Sequence, residues 1–373
     1  MKFERRQNIA AALEPKRVLI VYGPRRVGKT TMLKAYLQTQ QEKKLFYAVG
    51  DDARVRDVFK GEYRKEILDL FLPYEIIALD EAQHIPSIGL GAKMLIDAFP
   101  EKHIILTGSS SFNLSRIAGE PLTGRHFTLT LLPIAQSEIA EGRFELQNAL
   151  EDFLVYGAYP EILLESEHER KKKILTELVS SYLFKDVLAL GVIKNPDMVG
   201  NVLKCLAFQL GNEVSLNEIA KTVGSDVKTV SRYLDLLEKM FIIRKVSGFS
   251  RNLRNEISQK AKYYFLDNGI RNAVIAQFNP LSLRNDIGAL FENFIFMELV
   301  KRSGIEGAFD RYYFWRTHEG KEIDIIKESE GKLAALECKW ARDDVSAPRA
   351  WKEAYPDSSF AVIHPGNYLD FVL

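Results

Sequence analysis

The stretch "VLIVYGPRRVGKTT", residues 18 to 31, restricts the fold of this chain more than any other. A short run of β-branched and aromatic residues leads into G-x-x-x-x-G-K-[ST], and the helical stretch "TMLKAYLQTQ" follows. A strand that turns sharply into a helix N-terminus collects backbone N–H groups and helix dipole at one point, which suits a phosphate. The expected cradle is Gly23, Pro24, Arg25, Arg26, Val27, Gly28, Lys29, Thr30 and Thr31. Lys29 is placed to reach the β- and γ-phosphates and to act in catalysis, while the Thr30 hydroxyl can ligate Mg²⁺.

The segments around this loop read as a parallel sheet. "RVLIVYG", "KKLFYAVG", "EIIALDE" and "KHIILTGSS" are short apolar runs, separated by segments long enough for helical crossovers. Strands of that kind are buried on both faces, so residues 1–134 are expected to form a doubly wound α/β core. The third run ends in Asp80 and Glu81. Asp80 is the expected partner of Thr30 on Mg²⁺, and Glu81 the expected base that polarises water. The fourth run ends in Thr107, Ser109 and Ser110, which can sense the γ-phosphate or cap a helix. Arg125, in "LTGRHFTLTLLP", is a candidate arginine finger acting on a neighbouring copy's nucleotide, with a structural ion pair as the alternative. No N-K-x-D-like segment that would read guanine is present, so the expected nucleotide is ATP.

At 373 residues the chain is too long for one core, and four parts are expected: 1–134, a helical connector at 135–212, a module at 213–281 and a second α/β domain at 282–373. With 46% hydrophobic and 27% charged residues, the composition is that of a soluble globular protein. A formal net charge of +1 gives no global attraction to nucleic acid or membrane. Cys205 and Cys338 form no ligand-spaced pair, which fits a reducing cytoplasm. The N-terminus has no signal-peptide pattern, and no apolar run approaches the roughly 20 residues that span a bilayer.

The module at 213–281 carries a helix–turn–helix pattern. Ser215 and Glu218 have capping-box spacing, Gly224 marks a turn, and Val227, Val230, Tyr233, Leu234, Leu237 and Met240 make one apolar face. Lys228, Thr229, Ser231 and Arg232 fall on the outer face, with Arg244 and Lys245 in the following wing-like run. Between 221 and 254 there are eight basic residues against three acids, a local excess that a phosphate-contacting surface requires. A protein-binding role for the same module stays open.

Taken in order, "GPRRVGKTT", "IIALDEAQ", "ILTGSSS", "LTGRHFTLTLLP", "YGAYPE", "TVSRYLDLLEKMFII" and "KYYFLDNGI" resemble a large prokaryotic ATPase family. Its members combine an AAA-type P-loop core, a winged helix and a C-terminal restriction-endonuclease-like, PD-(D/E)xK, domain. The resemblance implies a nuclease-type site with Glu292 from a helix, Asp324 as first hairpin acid, and Glu337 with Lys339 as the "ExK". Ile323 stands where a proline often precedes the first acid. Carboxylates so grouped suit Mg²⁺, and strand alternation puts Glu337 and Lys339 on one face. The resemblance equally implies a domain of this fold that no longer cleaves and keeps DNA binding or a structural role, and an ordinary hairpin with a cross-strand Asp324–Lys339 ion pair is a further alternative. The leading expectation is a cytoplasmic, Mg²⁺-dependent ATPase that binds or remodels DNA as a homo-oligomer. The alternatives are a nucleotide-controlled switch on a protein partner and an ATP-governed nuclease.

Overall fold

Five short runs pair as an all-parallel sheet: β1 (Val18–Tyr22), β2 (Leu45–Val49), β3 (Ile76–Asp80), β4 (His103–Gly108) and β5 (His126–Thr130), in the order β2-β3-β4-β1-β5. Successive side chains of the inner strands enter two different cores. Val18 and Ile20, Ile77 and Leu79, Ile104 and Leu106 face one; Leu19 and Val21, Ile76 and Ala78, and Ile105 face the other. The first core is closed by Phe59, Phe71 and Leu95, from the helices Ala53–Lys60, Arg64–Phe71 and Ile88–Ala98. The second is closed by Leu33, Tyr36 and Leu37 of α1 (Lys29–Gln38). Two buried faces explain why these strands are continuous apolar runs rather than alternating ones.

The computed structural model describes residues 1–61, 63–109, 122–181, 195–250, 260–317, 319–341 and 345–373. They cluster into an N-terminal unit, Arg5–Leu132 with Lys239–Phe241, and a C-terminal unit, Met1–Glu4, Pro133–Glu238 and Ile242–Leu373.

The C-terminal unit begins with helices at Arg143–Asn148, Leu150–Tyr156, Pro160–Leu164, His168–Ser181 and Pro196–Phe208. Then come α2 (Leu216–Thr222) and α3 (Val227–Lys239), followed by the antiparallel pair β6 (Ile243–Ser247) and β7 (Ala261–Phe265). Val214 bridges Ala261, so the segment before α2 also joins this small sheet. Ser215 caps α2 by accepting from the Glu218 N–H, and Gly224 takes a left-handed φ in the turn. Val230, Tyr233, Leu234, Leu237 and Met240 are buried as expected, joined by Leu236. Val227 is exposed, because it opens α3 and sits at the end of the stripe.

After β7, α4 (Ile287–Glu306) leads into a mixed sheet: β8 (Arg311–Arg316), β9 (Glu322–Ser329), β10 (Lys332–Cys338) and β11 (Ser359–Ile363), ordered β11-β10-β9-β8. β9 and β10 pair from Ser329↔Lys332 inward. Their two-residue turn needs left-handed backbone at Glu330 and Gly331, φ 49° and 81°. This is the twist-matched hairpin turn in which glycine is favoured. Two family motifs meet in the same unit: the Asp267 carboxylate of "LDNGI" accepts from the Ala158 N–H of "YGAYPE" at 2.7 Å and from the Ile270 N–H at 3.2 Å. These motifs therefore serve packing. Among the described residues no helix is long and apolar enough to cross a membrane.

Candidate functional sites

The phosphate loop leaves β1 at Tyr22 and enters α1 at Lys29. Gly23 is dictated by its neighbour strand: a Cβ there would lie 1.9 Å from the Leu131 carbonyl oxygen, and its φ is +152°. The Leu131 N–H donates to the Tyr22 carbonyl at 2.8 Å, so the loop starts where β5 presses against it. The Lys29 ammonium is buried and donates to the carbonyls of Gly23 (2.9 Å) and Pro24 (2.7 Å), over the start of the loop. Arg25, Arg26 and Thr31 are exposed and Val27 is buried. The Arg5 guanidinium, missed in the sequence, donates to the Val27 carbonyl at 2.6 Å and fastens the N-terminal segment to the loop.

Asp80 is the hub of the site. One of its oxygens accepts from the Thr30 hydroxyl at 2.7 Å and from the Tyr47 hydroxyl at 3.3 Å; the other accepts from Thr107. The Thr107 hydroxyl also accepts from the Glu81 N–H at 2.9 Å. One buried hydroxyl on β4 thus ties together the two acids that end β3. Glu81 holds a left-handed φ of 51°, a strained backbone of the kind found at functional sites. Its carboxylate accepts from the Gln83 amide at 2.5 Å, and the same amide group lies 3.2 Å from the Ser109 hydroxyl. Burial, and then the charge of Asp80, pushes the Tyr47 hydroxyl up to about 12, so it is a fixed donor at neutral pH.

Thr30 and Asp80 offer adjacent hard oxygen ligands and fit Mg²⁺. Tyr47 and Gln83 were missed because their partners are distant or their residue types unremarkable. The only signal for Gln83 is its place two residues after Glu81. Ser110 lies outside the described residues. Arg125 precedes β5, and its carbonyl accepts from the Val18 N–H at 2.9 Å. It is therefore at the end of the parallel sheet opposite the phosphate loop, roughly 16 Å along a five-residue strand. Its half-exposed guanidinium pairs with Asp97 at 2.9 Å.

The outer face of α3 is divided. Lys228 and Arg232 are exposed and Ser231 is half-buried. Thr229 is committed to helix capping, its N–H and hydroxyl donating to Asp226 at 2.9 and 2.7 Å. Lys245 is exposed, but Arg244 is half-buried, and burial lowers its pKa beside Tyr312 and Glu238. Successive strand residues point to opposite faces, so Arg244 and Lys245 do not share one contact surface. Arg251 and Arg254, part of the basic excess, lie outside the described residues.

The hairpin acids of the C-terminal unit gather around a lysine that sequence reasoning missed. Lys262 of β7 is 1% exposed, and its ammonium lies 2.6 Å from Glu322, 3.1 Å from Glu292 and 4.0 Å from Asp324. Glu292 also accepts from the Tyr264 hydroxyl at 2.6 Å, and Asp324 from the Cys338 N–H at 2.8 Å. Lys339 pairs with Glu337 at 2.8 Å, as the alternation implies, and not with Asp324 as the ordinary-hairpin reading has it. Burial pushes Glu292 up to about 7, against the pull of Lys262. Burial also raises Asp324 and Glu337. It works against the Lys262 charge, but Glu292, Glu322 and Asp324 outweigh it and hold that pKa high. Among the described residues, no three His, Cys, Asp or Glu side chains converge as a metal-holding group. The one signal for Lys262 was a lone charge in the apolar run "AKYYFL".

The sheet order, the loop and the Thr30–Asp80–Thr107 junction give the N-terminal unit an AAA-family ATPase fold. Residues 15–140 match the model of an AAA domain, 147–281 a domain of unknown function (DUF8612), and 287–370 another (DUF4143). An uncharacterized protein of Methanocaldococcus jannaschii is 25% identical over 353 residues, covering 89% of this chain and 77% of the relative. One of Mycobacterium tuberculosis is 26% identical over 380 residues, covering 99% and 81%. Among solved structures, AMPPCP-bound DnaA of Aquifex aeolicus aligns at TM-score 0.27 and 18% identity, covering 60% of this chain and 82% of that one. The RuvB Holliday junction branch migration motor of Thermotoga maritima aligns at TM-score 0.29 and 17% identity, covering 62% and 82%.

Proposed function

We propose that this chain hydrolyses ATP with Mg²⁺ at the N-terminal unit and uses the hydrolysis to act on DNA through the C-terminal unit. The observation that carries the first half is the junction at Asp80, where Thr30, Thr107 and the Glu81 backbone meet within hydrogen-bond reach. Thr30 and Asp80 would hold Mg²⁺, which when bound neutralises charge on the β- and γ-phosphate oxygens. The loop N–H groups orient the phosphates and Lys29 donates to the γ-phosphate. Glu81 orients the attacking water and accepts its proton, while Gln83 and Ser109 fix the carboxylate.

The second half rests on the order α2, turn, α3, β6, β7, which supports a winged-helix reading, with Lys228, Arg232 and Lys245 as phosphate contacts. The position of Arg125, opposite its own loop, supports a homo-oligomer in which it serves a neighbouring copy's nucleotide; its pairing with Asp97 is what a purely structural role has in its favour. The two free cysteines support a cytoplasmic location.

The test measures ATP hydrolysis alone and with duplex, single-stranded or branched DNA, with Lys29→Ala as the dead control. Stimulation by one DNA form, weakening as salt rises, is expected. Turnover that no DNA changes, with no DNA bound, transfers the output to a protein partner.

A further inference from the structure

Glu292, Asp324 and Glu337 are the acids that a nuclease-type site would use for a divalent cation, and each already has an internal partner. Glu292 faces Lys262 and Tyr264, Asp324 faces Lys262 and the Cys338 N–H, and Glu337 faces Lys339. Lys262 lies in a strand whose residues are all buried, and it is itself 1% exposed. A lysine so enclosed stays charged only while carboxylates surround it. A divalent cation drawn to the same carboxylates would sit beside that ammonium, like charge against like charge away from water. Its protein ligands would have to come from carboxylates that are already paired.

We propose that the Lys262 ammonium is the permanent cation of this acid cluster, taking the place of a divalent metal. The cluster is then a metal-independent lock. It ties β7 to α4 through Glu292 and to β9 through Glu322 and Asp324, and it has no hydrolytic centre. The inference is independent of the ATP reading, since it concerns residues of the C-terminal unit alone.

The experiment titrates Mn²⁺ into the nucleotide-free full chain by calorimetry. The protein with Lys262 intact is expected to show no Mn²⁺ site that Asp324→Asn removes. Lys262→Met should gain such a site, at least tenfold tighter than any Asp324-dependent uptake by the parent, and lose it again with Asp324→Asn. Asp324-dependent Mn²⁺ binding by the parent overturns the proposal, and so does a folded Lys262→Met protein that gains none. Should Lys262→Met not fold, melting of the parent decides: any Tm difference between Mn²⁺ and EDTA should be the same in the parent and in Asp324→Asn. An Asp324-dependent rise with Mn²⁺ refutes the lock.

Discussion

Replacing Thr107 with valine separates hydrogen bonding from shape at the Asp80 junction. Thr107 is 1% exposed, and valine keeps its branched outline while exchanging the hydroxyl for a methyl. Two bonds disappear together. Asp80 loses a donor to a charged acceptor, worth about 1.5–3 kcal/mol, and the Glu81 N–H loses its acceptor, worth about 1–3 kcal/mol if no water replaces it. The two losses share one group and are not additive, and Asp80 keeps Thr30 and Tyr47. The expected cost is therefore about 2–4 kcal/mol of stability in the N-terminal unit. At roughly 3 °C per kcal/mol for a chain segment of this size, its calorimetric transition should fall by about 6–12 °C.

The same change should reach the chemistry. With its N–H released, Glu81 loses the anchor that holds its strained backbone, and an ångström of drift in a catalytic base costs on the order of 10²-fold in rate. ATP binding, carried by the loop, should be preserved. Thr107→Ser retains the hydroxyl and should restore both stability and turnover. A Thr107→Val protein within about 0.5 kcal/mol of the parent, hydrolysing ATP at the parent rate, would refute the claim that this hydroxyl joins Asp80 to Glu81.

Gly23→Ala should abolish binding of a fluorescent ATP analogue, because its Cβ would displace the Leu131 carbonyl and with it the pairing of β1 and β5; unaltered affinity would contradict the close approach. Glu292→Gln should flatten the pH dependence of stability. Below pH 4.5 the carboxyl is protonated whether folded or unfolded, and between 4.5 and 7 only the unfolded chain releases the proton. Stability should fall across that window by about 3 kcal/mol and level off above it. Trp315, Trp340 and Trp351 all lie in the C-terminal unit, so urea titrations followed by tryptophan fluorescence at pH 5 and pH 8 report this directly. Arg125→Ala should bind ATP normally and fail to hydrolyse it, at little cost to stability, since half-exposed ion pairs such as Arg125–Asp97 contribute under about 1 kcal/mol. Mixing it with Lys29→Ala subunits should restore some turnover; no recovery at any ratio would remove the role in trans.

What was legible in the sequence was what is written locally. The phosphate loop needs glycines at fixed spacing between a strand and a helix, and a strand buried on both faces shows itself as an unbroken apolar run. Gly23, Lys29, Thr30 and Asp80 could therefore be assigned from short windows. Tyr47 could not: it reaches Asp80 across 33 residues of sequence, and a tyrosine in a strand is ordinarily packing. At the surface the same limit hid the partners of individual side chains. Thr229 looked like a contact residue because its helix face is polar, yet the nearest acceptor, Asp226, sits one turn before it. Arg244 and Lys245 were both expected in the wing, and adjacency in a strand places them on opposite faces.

The acid cluster shows why a motif underdetermines chemistry. Asp324, Glu337 and Lys339 have the spacing of a metal site, and the hairpin does place Glu337 beside Lys339. What such acids do depends on which cation neutralises them, and that cation need not come from the motif. Here it comes from Lys262, 30 residues before Glu292 and 62 before Asp324, on a strand that pairs with β6 rather than with the hairpin sheet. Its separation of 2.6 Å from Glu322, an acid outside the motif, makes the commitment clearer still. A carboxylate already compensated by a buried ammonium gains little from a metal and loses its ion pair in accepting one. On this proposal the Glu292 and Asp324 carboxylates would be released to act as ligands in a chain where position 262 were apolar, so the identity of that single strand residue separates a metal centre from a structural lock.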